Sequence, residues 1–372
     1  MKMHFRLTSA VVLLLELSVA VHGIPRMKRS SNSFAGSNLY FLHGLSSSDQ
    51  AYYIDKLASD GAKVIRIWVN GLSKGCVKGS NVVDDISEFE TTIGDYNYDT
   101  LAKLDAVLAQ TSAKGIKAII SPHDGNDIHD SSTAGNGCDI YCSTYGTSFY
   151  SNSQAKTQYD ARIAAILNYQ SPSSGKKWGQ WSDAILAFDL ENEPFQFTDG
   201  GANDDPSDWL CGRAQNFKSV LGSSSVKVAT GGIGGDHSHG YNMLPAALNC
   251  SSIDLMSIHS YVGDASTWSG LLSGDEKVAA AANKLIYVEE WGVATSYNSD
   301  FDDQAAAINA AGYPWIYWQF IPGDDGTETC NSGCCTGYDG FEIGLNSSKG
   351  DITTAIGSAN SATTVQNWNI FS

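Results

Sequence analysis

Two glutamates stand at the ends of short apolar runs. The run from Ala184 to Leu190 leads into Glu191-Asn192-Glu193-Pro194, and the run from Leu285 to Val288 leads into Glu289-Glu290-Trp291-Gly292. A buried strand ending on a carboxylate is costly as core, because an unpaired charge loses its hydration there. It suits a site that keeps a proton on one carboxyl and a negative charge on the other. Cleavage of a glycosidic bond with retention needs such a pair, an acid for the leaving oxygen and a carboxylate for the anomeric carbon, about 5–5.5 Å apart. Glu193 suits the acid/base role, since Asn192 beside it can bond a sugar 2-hydroxyl. Glu290 suits the nucleophile, kept ionised by cationic or hydrogen-bonding neighbours. By strand alternation Glu289 should point away from Glu290, and it takes that role only if the strand bulges.

Other apolar runs carry candidate partners. Arg66, within Val64-Ile65-Arg66-Ile67-Trp68, needs a carboxylate, either as a structural ion pair or at the site. His259 and Tyr261 alternate around Ser260, so both can face inward and donate to Glu290, although a core histidine fits His259 equally well. Trp318 offers a flat face for a pyranose ring or fills core, and Trp68, Phe195 and Trp291 are further candidate sugar platforms. Two clusters have metal-ligand types: His123, Asp124, Asp127 and His129, and the pair His237 and His239. Both lie on loops where substrate contacts are equally expected, so no metal and no cofactor is expected. The run Gly231 to Gly235 lacks the Lys-Ser/Thr of a phosphate loop.

The elements that must position these residues alternate. Strands are expected at 38–42, 63–69, 117–121, 185–190, 226–230, 254–259, 285–289 and 315–319. Helices are expected at 49–59, 98–113, 153–169, 209–221, 275–283, 300–311 and 351–361, with a short one at 243–248. Eight strand–helix units argue for an α/β fold, a single closed (β/α)8 barrel. Turns from helix to strand are mostly short and carry glycine at the helix C-cap, as at Gly61, Gly115 and Gly312. Segments after strands are long (70–97, 122–152, 194–208 and 320–350). Long loops therefore gather at the strands' C-terminal ends, where such barrels keep their sites.

The 372-residue chain opens with Lys2 and Arg6 and an apolar stretch from about Leu7 to Val21. It reads as a secretory signal over residues 1–23, and Lys28-Arg29 reads as the end of a short propeptide (24–29), leaving 30–372 as the catalytic domain. Those first 29 residues hold five cations and one anion, so removing them takes the formal net charge from −17 to −21. Such a surface repels nucleic acid and anionic lipid and suits a neutral partner. Eight cysteines in a secreted chain imply disulfides. Cys138 with Cys142 is the plausible local bridge, and Cys330, Cys334 and Cys335 form a tight group that suits bridges better than zinc. Asn249 and Asn346 begin glycosylation sequons, which belong on surface loops. No later stretch is long and apolar enough to cross a membrane. A monomer acting on a neutral β-linked polysaccharide is expected.

The ordered set Arg66, His123, Asn192-Glu193-Pro194, His259, Tyr261, Glu290 and Trp318 resembles glycoside hydrolase family 5, over about residues 34–320. The resemblance implies a (β/α)8 barrel, double displacement by Glu193 and Glu290, and substrate binding by Arg66, Trp68, His123, Asn192, His259, Tyr261, Trp291 and Trp318. The segments Phe34 to Asn38, Tyr98 to Asp105 and Glu289 to Gly292 resemble fungal endo-β-1,4-mannanases. The segment Ser121 to Asn126 is closer to the broader family, including glucanases. The expected activity is therefore cleavage of β-1,4-mannan, with β-glucan as the alternative and a non-catalytic glycan-binding barrel as the other class.

Overall fold

The computed structural model describes residues 32–128, 137–196, 205, 207–294, 296–323 and 340–369. The N-terminal segment 1–29, His129, Cys330, Cys334 and Cys335 fall outside the described residues. Eight strands form a closed parallel barrel. They are β1 Ala35–Asn38, β2 Val64–Trp68, β3 Lys117–Ser121, β4 Ile185–Asp189, β5 Lys227–Ala229, β6 Leu255–His259, β7 Leu285–Glu290 and β8 Trp315–Tyr317. Each strand pairs with its successor, and β8 closes back onto β1 through Ala35↔Trp315, so the chain is a (β/α)8 barrel.

The helices over the strands are α1 Ser47–Ser59, α2 Tyr98–Ala113, α3 Ser153–Leu167, α4 Trp209–Leu221, α5 Pro245–Asn249, α6 Asp275–Ala281, α7 Phe301–Ala311 and α8 Ile352–Ser361. Side chains at five of these N-caps accept otherwise orphaned backbone N–H groups. Ser46 takes Asp49 N at 3.2 Å, Asp300 takes Asp303 N at 3.0 Å, and Asp351 takes Thr354 N at 3.0 Å. The expected C-cap glycines adopt the left-handed conformation.

The first strand departs from the apolar run at 38–42. It lies at Ala35–Asn38, and Leu42–Gly44 is a 3-10 turn. Small residues there let β1 and β2 close up: a Cβ on Gly36 would lie 1.8 Å from the Val64 carbonyl oxygen. Tyr40 to Leu42 are apolar because they pack above the strand rather than within it.

Strand alternation divides the buried side chains into two layers. Outward residues such as Ile65, Ile67, Phe188 and Val288 pack with Leu104, Leu108, Ile163, Phe217 and Ile308 of the helices. Inward residues form a second cluster: Phe34, Val64, Ile119, Leu186, Ala187, Ala229, Leu255, Tyr287, Ile316 and Trp368. That cluster is the floor of the barrel, and Trp368 of the C-terminal segment seals it, edge-on to Phe34 and Tyr287. Two residues up each strand the interior becomes polar, with Arg66, Asp189, Ser257 and Glu289 all buried. The mouth lies above that layer.

Two disulfides are described in full. Cys138–Cys142 lies in the segment after β3, and Cys211–Cys250 joins α4 to the end of α5, a pairing that sequence spacing did not suggest. Cys76 is also disulfide-bonded. Asn249 and Asn346 are both exposed, as sequons require. Among the described residues no helix is long and apolar enough to cross a membrane.

Candidate active site

Residues 190–193 carry β4 over the rim. Leu190 N bonds Ala229 O, Asn192 N bonds His123 O, and Glu193 N bonds Gly231 O, at 2.7–2.9 Å. These bonds hold Glu193 at φ +46°, a left-handed conformation that costs a non-glycine residue of the order of 1–3 kcal/mol. The loop after β3 must come close for this. A Cβ at Gly125 would stand 2.4 Å from the Glu193 carbonyl oxygen, so only glycine fits. On the opposite wall the register of β6 on β7 shifts between Ile258 and His259, pairing His259 with Glu290 rather than Glu289. The irregularity lets two successive glutamates face the interior.

That corrects the expectation that Glu289 turns away. Glu289 lies inside the barrel beneath the mouth, bonded to the Tyr287 hydroxyl and to His259 Nε2 (2.9 Å), with Arg66 at 3.6 Å. Burial works to raise its carboxyl, but Arg66 and His259 outweigh it and hold Glu289 at about 2. Glu290 is the carboxyl that reaches the opening.

Glu193 and Glu290 face each other across the mouth. One oxygen of each, with a nitrogen of His259, lies within 4.8 Å of the others. Glu290 accepts from Arg66 Nη1 at 2.5 Å and from the Tyr261 hydroxyl at 2.8 Å. Glu193 bonds His259 Nδ1 at 3.0 Å and accepts from Asn126 Nδ2 at 3.0 Å. Three such ligand types could also hold a metal ion. The guanidinium beside Glu290 argues against a cation there, since like charges repel in a buried site.

Arg66 organises this layer. Nε donates to Asp189 (2.9 Å), Nη2 to Asn192 Oδ1 (2.7 Å) and Ser121 Oγ (3.0 Å), and the guanidinium stands 4.3 Å from the Trp68 ring centre. Burial and Glu289 push Asp189 up to about 7 against the pull of Arg66. Burial opposes charge on His259, but Glu290, Glu193 and Glu289 lift it to about 10, so it is cationic. Glu290 is raised, chiefly by burial, and Glu193 is lowered: burial works to raise it, and the hydrogen bond and charge of His259, with Asn126 and Arg66, together outweigh that. The two carboxyls share one environment and titrate as a pair.

A cleft of about 1010 Å³ opens over the pair, lined by Tyr40, Trp68, Asn126, Asn192, Tyr261 and Trp318 near the glutamates and also by Asn70, Glu88, Asp124, Asp127, Asp139 and Arg162. Trp318, Tyr40 and Trp68 form one aromatic wall, with Tyr40 stacked on Trp318 and Trp68 edge-on to it.

Several expected sugar contacts are placed elsewhere. Trp291 is fully buried between Phe301, Trp315 and Tyr317, because the paired inward glutamates send the next side chain outward into the helix layer. Phe195 packs on Tyr150 and Trp209 and does not line the cleft. Arg66 and His259 are fully buried and act on carboxylates rather than on a ligand. His123 touches the cleft wall, but both its ring nitrogens are engaged, by Glu191 at 2.6 Å and Asp139 at 2.7 Å. Of the clusters with metal-ligand types, His123 is thus consumed by ion pairs, and His237 pairs with Asp275 at 2.7 Å. Asn126, Asp189, Glu191 and Tyr40 escaped notice in the sequence. Only Asp189 left a signal there, an acid inside a strand.

The chain matches the family model described as GH family 5 beta-mannosidase-like over residues 50–291. It is 26% identical over 307 residues to mannan endo-1,4-beta-mannosidase A of Emericella nidulans, spanning 77% of this chain and 74% of that one. It is 25% identical over 334 residues to mannan endo-1,4-beta-mannosidase A of Hypocrea jecorina, spanning 85% and 71%. Among solved structures, the endo-1,4-beta-mannanase of Rhizomucor miehei superposes with a TM-score of 0.65 at 22% identity, over 88% of this chain and 94% of that one. The endo-beta-1,4-mannanase of Thermotoga petrophila does so with a TM-score of 0.67 at 20% identity, over 91% and 79%. With the family model covering well over half of its length, the chain belongs to glycoside hydrolase family 5.

Proposed function

We propose that this protein is a secreted endo-β-1,4-mannanase that cleaves with retention, using Glu193 as acid/base and Glu290 as nucleophile. The observation that carries the reading is the approach of the two carboxyls to within 4.8 Å across the mouth. That spacing suits direct attack and leaves no room for an intervening water, as inversion requires. The relatives named as mannan endo-1,4-beta-mannosidases support mannan as the substrate.

In the first step Glu193 gives its proton to the glycosidic oxygen. The C1–O bond breaks, and a Glu290 oxygen bonds to C1, forming a glycosyl ester. Water then enters, Glu193 takes one of its protons, and the hydroxyl displaces Glu290 from C1. The reaction needs the proton on Glu193 and the charge on Glu290, and the positive charge developing at C1 in the transition state favours an ionised Glu290. Arg66 and Tyr261 steady the ionised nucleophile. The second hydrogen of Asn192 Nδ2, whose first goes to Asp124 Oδ1 at 2.9 Å, is placed for the sugar 2-hydroxyl. Secretion is supported by the cationic, apolar N-terminus and by the disulfides.

The test compares mannan, glucomannan, carboxymethylcellulose and β-1,3-glucan as substrates, with product lengths and product anomer recorded. Internal cleavage of mannan, giving β-configured ends, is expected. Glu290→Gln should lose at least about 10⁴-fold in kcat while still binding mannan. Glu193→Ala should regain turnover with azide and yield a β-glycosyl azide. Cleavage of glucans alone overturns the substrate, and α-configured ends overturn the mechanism.

A further inference from the structure

The segment 137–143 forms part of the cleft's outer lip, yet its best-placed acid turns inward. Asp139 Oδ2 bonds His123 Nε2 at 2.7 Å, while its Oδ1 caps the helix Ile140–Tyr145 by accepting Cys142 N at 2.7 Å. The bridge Cys138–Cys142 spans that cap and leaves Asp139 little freedom. On the other side of the ring, Nδ1 meets Glu191 Oε1 at 2.6 Å, and Glu191 Oε2 accepts from the Tyr150 hydroxyl at 2.7 Å. Tyr141, Phe149 and Tyr159 enclose the imidazole with ring centres 5.5–5.7 Å away. Burial works against charge on His123, but Asp139 and Glu191 lift it to about 10, so both nitrogens donate.

This triad of charges is tied to the rim that carries Glu193. His123 O accepts Asn192 N, and Gly125 N returns a bond to Asn192 O at 2.7 Å. Glu191 is two residues from Glu193. The side-chain ion pair and the backbone bonds therefore cross-link the same two segments, and Glu193 needs that support because its φ is positive.

We propose that Asp139, locked by the Cys138–Cys142 bridge, is a positioning residue for Glu193 and acts through His123 and Glu191. The proposal rests on the reading of Glu193 as acid/base. Asp139 orients the imidazolium, the imidazolium holds Glu191, and the rim keeps the Glu193 carboxyl in line with the leaving oxygen.

Asp139→Asn isolates this role. An asparagine still caps the helix, but its charge is gone and its amide hydrogens oppose the His123 N–H. The enzyme is assayed on phenyl and dinitrophenyl β-mannobiosides, leaving groups that do and do not need a proton. For Asp139→Asn, kcat/KM on the phenyl substrate should fall on the order of tenfold, short of the 10²-fold that a full 1 Å misplacement costs. On the dinitrophenyl substrate it should stay within about twofold of wild type, with KM for mannan unchanged. Equal losses on both substrates, a rise in KM alone, or no change overturns the proposal. Should Asp139→Asn not fold, the double variant Cys138→Ser with Cys142→Ser decides by the same selective loss or its absence. The parent reading is checked separately: if azide does not rescue Glu193→Ala, that reading fails whatever Asp139→Asn shows.

Discussion

At the residue scale, the ionisation of Glu290, the proposed nucleophile, is a contest between burial and donors. Glu290 loses hydration in the barrel, which pushes its carboxyl above the ordinary value, and Arg66, His259 and Tyr261 pull it back only in part. The proposed attack on C1 needs Glu290 ionised, so activity should be lost as pH falls through its raised pKa. The acid limb of kcat/KM should therefore have its midpoint above 4.5, the ordinary value of a glutamate carboxyl. Tyr261→Phe removes a donor that favours the ionised form, so its acid limb should move to still higher pH. A pH–rate profile of the two enzymes checks this, and a shift to lower pH would contradict the hydrogen bond's role. Arg66 cannot be replaced so simply. Its planar fork reaches Asp189, Glu290 and Asn192 at once, which lysine's point charge cannot do.

At the element scale, the bridge Cys211–Cys250 closes a loop of 39 residues between α4 and the end of α5. Restricting the unfolded chain over that length is worth about 4 kcal/mol on the loop-entropy account. Cys211→Ser with Cys250→Ser should lower the urea midpoint accordingly and leave kcat on mannan intact, because neither cysteine lines the cleft. That pairing was invisible in the sequence, where residues 39 apart give no hint of contact. The barrel itself was legible, since strand–helix alternation survives in the apolar periodicity and five of the eight helices carry side-chain N-caps. The first strand was misread because Tyr40, Phe41 and Leu42 look more strand-like than the small residues that let β1 approach β2. Trp291 was misread for a different reason. A one-residue irregularity between β6 and β7 turns two glutamates inward and the tryptophan outward, and irregularities of register leave no trace in alternation. His123, expected to bind substrate, touches the cleft wall with both ring nitrogens engaged by carboxylates. Its partners Asp139 and Glu191 were not foreseen, because they meet only when the segments after β3 and β4 fold together.

At the scale of the whole molecule, the barrel is layered: apolar floor, ionic middle, aromatic and carboxylate mouth. The formal net charge of −17 keeps acidic polymers away and leaves a neutral polysaccharide unopposed. The floor depends on Trp368, which a segment beyond the last helix inserts beneath Phe34 and Tyr287. Gln366 pins that segment by accepting Ile286 N at 2.8 Å and donating to Lys284 O at 2.7 Å. Trp368→Ala should cost about 3–5 kcal/mol of stability, read as a lowered Tm, with KM for mannan unaltered. Because this cork sits at the pole opposite the mouth, the same tail makes a natural handle. A molecule tethered to a solid support through the exposed Asn367 would stand with its cleft facing outward, free to graze an insoluble fibre.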